Sequence, residues 1–149
     1  ACEKKLDLAN PQSLEAGTVF STDDRVKKVL IGNYAAAGAA ALLGGDALWM
    51  SELLASDAEL SWVGTFPDPR QIILKNIQVN NSNVFATYAA AYRVIYNSNN
   101  ILANIGVVNA ADRARVEGEA KFLRAMAYFE LIKYYGEKPY VAGNTTALK

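Results

Sequence analysis

The sequence contains no histidine and a single cysteine in 149 residues. Without histidine the chain lacks the commonest general base, the Ser-His-Asp triad and the usual ligand of zinc sites. Cys2 on its own forms neither an internal disulfide nor a thiolate metal cluster. These absences do not exclude an enzyme whose catalytic groups are tyrosine, lysine or carboxylate. The composition nevertheless favours a non-catalytic protein with no metal and no other cofactor.

An excess of charge and a long apolar run are also missing. The 15 basic residues are balanced by 15 acidic ones. A nucleic-acid binder needs surplus Lys and Arg to displace counterions from phosphates, so no nucleic-acid partner is expected. The longest apolar candidate, Ala35–Leu43, is interrupted by Gly38 and is shorter than the roughly 18 residues that span a bilayer.

The clearest positive signal is a helical pattern from Asn109 to Pro139. Asn109 is a good N-cap, Gly136 fits a glycine stop, and Pro139 prevents the helix from resuming. One apolar face has helical spacing and comprises Val116, Ala120, Leu123, Ala127, Leu131 and Tyr134. A second face comprises Phe122, Met126 and Phe129. So wide an apolar surface predicts contacts on two sides and a place inside a helical bundle.

The preceding segment, about Asn83 to Ile105, predicts a second long helix that ends at Gly106. Its apolar stripe is expected to be Val84, Tyr88, Tyr92, Ile95, Asn99, Leu102 and Ile105. Two long helices joined by a short loop must be antiparallel neighbours. The sequence therefore predicts an all-α fold built on antiparallel helical hairpins.

The first half of the chain is less regular. Residues 1–20 contain proline and glycine without helical periodicity and are expected to form an extended arm. Ser21–Asp24 is a good helix entry, and we expect that helix to stop at Gly44–Gly45. Asp46 then caps a shorter helix. Residues 56–82 are expected to form an irregular loop, with one short helix from Asp68 through Lys75.

Two aromatic residues of this loop are the best candidates for ligand binding. Trp62 and Phe66 lie among glycine and prolines, where helix packing does not explain them. Sugar rings present apolar C–H faces that stack on an indole, and polar side chains nearby can bind the hydroxyls. The polar candidates close in sequence are Asp57, Asp68 and Arg70. The alternative is that Trp62 folds back over its own core, and the sequence favours neither interpretation.

Other polar and aromatic residues of the two long helices are expected to be structural. Asn99 is predicted to be a buried amide that satisfies a neighbouring backbone group. Glu119 and Arg124 are expected to pair with other elements and not to form a catalytic pair. Tyrosines at i, i+4 spacing are more often core than sugar platforms, which applies to Tyr88, Tyr92 and Tyr96.

Several strings of residues resemble one known family. The most specific is Gly118–Leu131 (GEAKFLRAMAYFEL), followed by Tyr135-Gly136 and Pro139. Further matches, in the same order as in the family, are Leu6-Asp7 with Pro11-Gln12, the helix Ser21–Tyr34, and Tyr92–Ile95 with Asn99. Together they resemble the SusD/RagB family of outer-membrane nutrient-binding lipoproteins over essentially the whole chain.

The resemblance implies a tetratricopeptide-like helical core and a protein at the cell surface, anchored in the outer membrane by lipid on Cys2. The alternative for Cys2 is a free thiol. Residues 1–20 would form the tether and residues 21–149 the helical N-terminal domain, with the C-terminal part of full-length members absent. Family members capture oligosaccharides, in some cases peptides, and partner a SusC-like TonB-dependent transporter. The alternative is a helical interaction module that docks on the transporter, with the ligand site mainly in the missing part.

Overall fold

The structure, a computed structural model, describes residues 16–55 and 60–136. This part of the chain contains α-helices and no strand, which confirms the all-α expectation. The predictions for Cys2, Asp57 and Pro139 lie outside the described residues, as does most of the arm predicted for residues 1–20. Its described part is not extended, because Ala16–Val19 is helical. The helices are α1 (Ala16–Val19), α2 (Asp23–Ala37), α3 (Asp46–Ala55), α4 (Pro67–Ile73), α5 (Ser82–Ala103) and α6 (Ala110–Tyr135).

Helices α2, α5 and α6 pack together and enclose the main core. A single 3-10 turn, Ile105–Val107, connects α5 to α6, so the two long helices form the predicted antiparallel hairpin. The predicted inner face of α6 is confirmed: its members from Val116 to Leu131 are buried, and Tyr134 packs partly buried against the same cluster. A second, smaller cluster joins α3 to α4 and consists of Met50, Leu53 and Ile72.

Helix starts follow from local capping. The Asn109 side-chain oxygen accepts the backbone N–H of Asp112 at 3.0 Å, as predicted for the start of α6. Asn81 caps α5 in the same way through the N–H of Val84 at 3.1 Å. Thr22 is the N-cap of α2. These contacts join residues close in sequence, which is why they could be predicted.

Helix α2 ends earlier than predicted. It stops at Ala37, and residues 39–45 form successive turns in which Gly44 N donates to Ala39 O at 3.0 Å. A Cβ atom on Gly44 would lie only 2.3 Å from the carbonyl oxygen of Gly38. Gly44 and Gly45 therefore permit a tight turn that folds the chain back toward α3, and they do not end a helix. The expected stop at Gly44–Gly45 was wrong because tight turns, with their own backbone hydrogen bonds, replace the last part of the predicted helix.

The buried face of α5 matches the predicted stripe only in part. Ile95 is buried, and Val84, Leu102 and Ile105 are partly buried, but the tyrosines and Asn99 of the stripe are exposed. The buried side chains of α5 are all small or β-branched, namely Thr87, Ala91, Val94, Ile95, Ser98 and Ile101. Tyr88 and Tyr92 remain 41% and 45% exposed, so the expectation that the tyrosines are core was wrong. Small side chains let helix axes approach closely, while the bulkier tyrosines lie at the exposed edge of α5.

Helix α6 also differs from expectation on its second apolar face. Phe122 and Phe129 are 61% and 60% exposed, although Met126 is partly buried against the core. Helix α6 does contact both α2 and α5, as predicted, but the predicted second apolar face is mostly exposed among the described residues. Gly136 follows the end of α6 as expected, but its φ of −58° is not left-handed. An added Cβ would lie 3.0 Å from the carbonyl oxygen of Ile132, so glycine relieves a tight contact at this helix end.

Polar contacts hold the N-terminal ends of α2 and α6 together. Lys27 Nζ bridges the carboxylates of Asp23, at 2.8 Å, and Asp112, at 2.5 Å. Asn109 donates to Asp23 through its backbone N–H and its side chain. The hydrogen bonds from Lys27, Asn109 and Arg115 lower the pKa of Asp112 to about 2. Both carboxylates therefore remain charged at neutral pH.

A buried amide is present, but it is on α2 and not at Asn99. Asn33 is fully buried and donates to Ser98 Oγ at 2.9 Å and to the carbonyl oxygen of Val94 at 3.3 Å. Asn99 is exposed and accepts from Arg124, so its predicted burial was wrong. Asn99 lies on the exposed side of α5, whereas the neighbouring Ser98 is buried in the core.

Candidate functional site

A cleft of about 620 Å³ opens beside the smaller core cluster. Four segments form its walls: α3, the chain from residue 60 to 66, the start of α4 and the start of α5. Its volume lies within the usual range of ligand pockets, about 300–1,000 Å³. The lining residues are Asp46, Trp49, Leu53, Leu60, Ser61, Trp62, Phe66, Pro67, Asp68, Pro69, Ser82 and Asn83.

Trp62 forms one aromatic wall of the cleft. Its indole is half-buried against the cluster of Met50, Leu53 and Ile72, and its Nε1–H donates to the carbonyl oxygen of Phe66 at 3.2 Å. A Cβ atom on Gly64 would lie 2.5 Å from Cζ2 of the indole, so a glycine here lets the ring fold across the backbone. Both interpretations of Trp62 from the sequence thus have a structural counterpart. The indole of Trp62 packs against the smaller core cluster, and the same residue lines the cleft.

Phe66 is far more exposed than Trp62. Its ring is 69% accessible, and its centroid lies 6.5 Å from that of Trp62 with the planes tilted by 35°. The two rings are therefore close neighbours that present apolar surface at different depths. The backbone of Phe66 is held by the indole N–H and by the start of α4 at Pro67, while its side chain remains accessible to a ligand.

The polar candidates do not all meet at the cleft. Asp68 lines it and accepts the backbone N–H of Ser82 at 2.8 Å, together with the Ser82 hydroxyl. These bonds hold the pKa of Asp68 below its usual value. Arg70 lies on α4 and is exposed, but it is not part of the lining. Asp57 lies outside the described residues.

Among the lining residues that sequence reasoning missed, three form one hydrogen-bonded group: Asp46, Trp49 and Asn83. Trp49 Nε1 donates to Asp46 Oδ1 at 3.1 Å, and Asn83 Nδ2 lies 3.4 Å from Asp46 Oδ2. The sequence pattern predicts only a helix-entry role for Asp46 and Asn83. The i, i+3 spacing of Asp46 and Trp49 was a usable local signal, but no local pattern links them to Asn83.

A second, smaller cleft lies on the other side of α5. It has a volume of about 300 Å³, and we call it the tyrosine groove after Tyr88, Tyr92, Tyr128 and Tyr135. The Tyr88 and Tyr92 ring centroids are 4.6 Å apart, and the Tyr135 ring meets Tyr88 edge-on at 5.3 Å. The Tyr135 hydroxyl donates to the carbonyl oxygen of Val84, and burial raises the pKa of Tyr135 to about 12.

The described residues contain neither a metal-ligand cluster nor a membrane-spanning helix. Within residues 16–55 and 60–136, no three acidic or cysteine side chains lie close enough together to hold a metal ion. No helix in the same part of the chain is long and apolar enough to cross a membrane.

Comparison with known proteins identifies the family. A SusD-like family described as "Starch-binding associating with outer membrane" matches residues 5–148. The SusD-like protein P2 of Formosa agariphila is 26% identical over 142 residues, which cover 93% of this chain and 27% of that protein. The SusD-like protein P25 of the same organism is 33% identical over 70 residues, covering 45% of this chain and 13% of that protein.

The chain thus spans about a quarter or less of the length of these curated relatives. No solved structure matches it. Because the family match extends over nearly every residue and agrees with the all-α fold, this chain belongs to the SusD-like family.

Proposed function

We propose that this protein captures glycans without catalysis and that the cleft beside Trp62 is where it contacts them. The observation that carries the proposal is the pairing of two neighbouring aromatic rings, Trp62 and Phe66, in a cleft of about 620 Å³. The family description, which refers to starch binding at the outer membrane, supports a glycan as the ligand.

The chemistry of the lining suits a sugar chain. The aromatic rings offer flat apolar surface for the C–H faces of pyranose rings. Asp46, Asp68, Ser82 and Asn83 place acceptors and donors along the same cleft, where sugar hydroxyls need partners. A peptide is the competing ligand, because an extended chain also uses aromatic surface and hydrogen bonds.

The two cleft carboxylates are arranged for binding and not for hydrolysis. Glycosidases need one carboxylic acid with a raised pKa beside a second carboxylate. Asp68 accepts two bonds from Ser82, which lower its pKa. Asp46 is engaged by the indole of Trp49. Release of sugar from an oligosaccharide by the pure protein would contradict a non-catalytic role.

We further propose that the protein acts at the cell surface as a lipid-anchored partner of a SusC-like TonB-dependent transporter. Cys2 would carry the lipid, and the chain between Cys2 and α1 would form the tether. Stable anchoring needs more than one acyl chain, which a lipoprotein carries on its cysteine. The outer-membrane association in the family description supports this location. Palmitate labelling and membrane retention that both depend on Cys2 would support the anchor, and an unlabelled, secreted protein would refute it.

The direct test is calorimetric titration with oligosaccharides and, in parallel, with peptides. Phe66→Ala is the most informative variant, because a ring that is 69% exposed contributes little to folding. We expect it to weaken glycan binding by about tenfold, the loss of one stacking contact. Phe85→Ala is the matched control, since Phe85 is 70% exposed and lies outside the lining. Equal binding by both variants would exclude Phe66 from the site.

A second candidate function is a protein-interaction module that docks on the transporter. The tyrosine groove favours it, because Tyr88, Tyr92 and Tyr128 are substantially exposed on adjacent helices. Tyrosine is enriched at protein interfaces and at their energetic hot spots. In this case the ligand site would lie mainly in the part of the relatives that this chain does not cover.

Co-purification with the transporter separates the two functions. Tyr92→Ala and Tyr128→Ala should reduce recovery of the complex if the tyrosine groove is the interface. Leu48→Ala serves as the control, because Leu48 is 60% exposed on α3 and lines neither cleft. Glycan binding by this chain alone, with the complex unaffected by either tyrosine variant, would favour ligand capture over docking.

A further inference from the structure

Two carboxylates face the Trp62 cleft from different helices. Asp46 begins α3, and Asp68 lies in the first turn of α4. Among the described residues that line the cleft there is no lysine and no arginine. The chain as a whole is neutral, so this concentration of negative charge is a local property of the cleft.

The helix end that would attract an anion is already occupied. The N-terminus of α5 opens at the cleft through Ser82 and Asn83. A helix N-terminus offers unpaired N–H groups and a partial positive charge to anions such as sulfate. Here Asp68 takes the N–H and the hydroxyl of Ser82, and Asn81 takes the N–H of Val84. The protein's own carboxylate therefore stands where an anionic ligand group would bind.

The basic side chains near the cleft do not neutralise the charge of the two carboxylates. Lys75 donates its ammonium group to the carbonyl oxygens of Leu53 and Leu54, at 2.5 and 2.6 Å, and so closes the C-terminal end of α3. Arg70 is exposed on α4 and does not line the cleft. A carboxylate or sulfate in the cleft would thus meet two like charges with no cation in the lining to offset them.

We propose that Asp46 and Asp68 make this cleft select glycans without charge over glycans that carry carboxylate or sulfate groups. The inference rests on the proposed function, glycan capture at this cleft. Neutral hydroxyls can donate to both carboxylates, whereas an anionic group is repelled by both at short range. The two residues therefore determine which class of polysaccharide is retained.

The test compares two panels of oligosaccharides by calorimetric titration. The neutral panel is maltoheptaose, xylohexaose and laminarihexaose, and the anionic panel is pentagalacturonate and a sulfated carrageenan hexasaccharide. We expect the anionic panel to bind about tenfold more weakly than the best neutral sugar or not at all. Asp46→Asn and Asp68→Asn should each shift the anionic-to-neutral ratio toward the anionic sugars. Asp24→Asn, which removes a carboxylate outside the cleft, should leave the ratio unchanged.

A salt titration of the unmodified protein gives a second measurement, because Asp68 also caps α5 and its variant can lose stability. Raising NaCl from 0.01 to 1 M shortens the Debye length from about 30 to about 3 Å, so the ratio should move toward the anionic sugars. Anionic sugars that bind as tightly as neutral ones, or a ratio unaffected by both the variants and salt, would overturn the selectivity alone. A failure to bind any sugar of either panel would overturn glycan capture itself, and the selectivity with it.

Discussion

Arg124 Nη1 donates to Asn99 Oδ1 at 2.8 Å across the interface of α6 and α5. The two residues belong to the strings by which the chain resembles its family, Gly118–Leu131 and Tyr92–Asn99. Part of the family-specific signal is therefore structural, since it joins the two helices of the hairpin. This agrees with the expectation that Arg124 pairs with another element. Glu119 pairs with Arg115 on its own helix at 2.8 Å. It also meets Tyr34 of α2, where burial and the hydrogen bond with Glu119 raise the pKa of the tyrosine.

We expect Asn99→Ala and Arg124→Ala to be coupled in their effect on stability. The bond is charge-assisted but lies at the surface, so the coupling energy should be about 0.5–1 kcal/mol. Urea unfolding of the two single variants and the double variant measures it. Strictly additive free energies of unfolding would show that the contact does not stabilise the hairpin.

Trp62→Ala should affect stability as well as binding. Because the indole is half-buried against Leu53 and Ile72, its loss should cost about 2 kcal/mol, roughly half the cost of truncating a buried tryptophan. Thermal unfolding together with glycan titration measures both effects. Trp62→Phe keeps an aromatic ring and should retain part of the stability and part of the glycan affinity. An unchanged Tm in Trp62→Ala would contradict the packing of the indole against the smaller cluster.

Acid should weaken the contact between α2 and α6. The folded-state pKa of Asp112 is about 2, below its ordinary value of 3.8, so this carboxylate contributes stability above pH 4. That contribution is lost as the pH falls from about 4 to about 2. Asp112→Asn should lower the Tm at pH 7. It should also make the Tm fall less steeply between about pH 4 and about pH 2. Glu117→Gln, which removes an exposed pair with Lys121, should change little. Identical acid profiles for the two variants would contradict the role of Asp112.

Two glycines should respond oppositely to alanine. Gly118 lies inside α6 with open space around it, so Gly118→Ala should stabilise the protein by about 0.5–1 kcal/mol through helix propensity. Gly44→Ala places a methyl group against backbone atoms of Gly38 and Ala39 and should cost about 2 kcal/mol or more. Denaturant midpoints measure both changes. A neutral Gly44→Ala would show that the turn after α2 is looser than the structure indicates.

Sequence alone determined the helix class, the hairpin of α5 and α6 and the inner face of α6. These features depend on contacts between residues a few positions apart: caps such as Asn109 with Asp112, and side chains at spacings of three and four. The string from Gly118 to Leu131 was also sufficient to identify the family, and the family match confirms it.

Only the tertiary structure decided which stripe of α5 is buried and which residues surround Trp62. The stripes of Ala91 and of Tyr92 are both apolar, and the choice between them depends on how closely α2 and α6 approach. Asp46 and Asn83 meet because α3 and α5 pack against each other, a contact between distant segments that no local pattern encodes. Helical periodicity is a short-range property of the chain, whereas a cleft is formed by long-range packing.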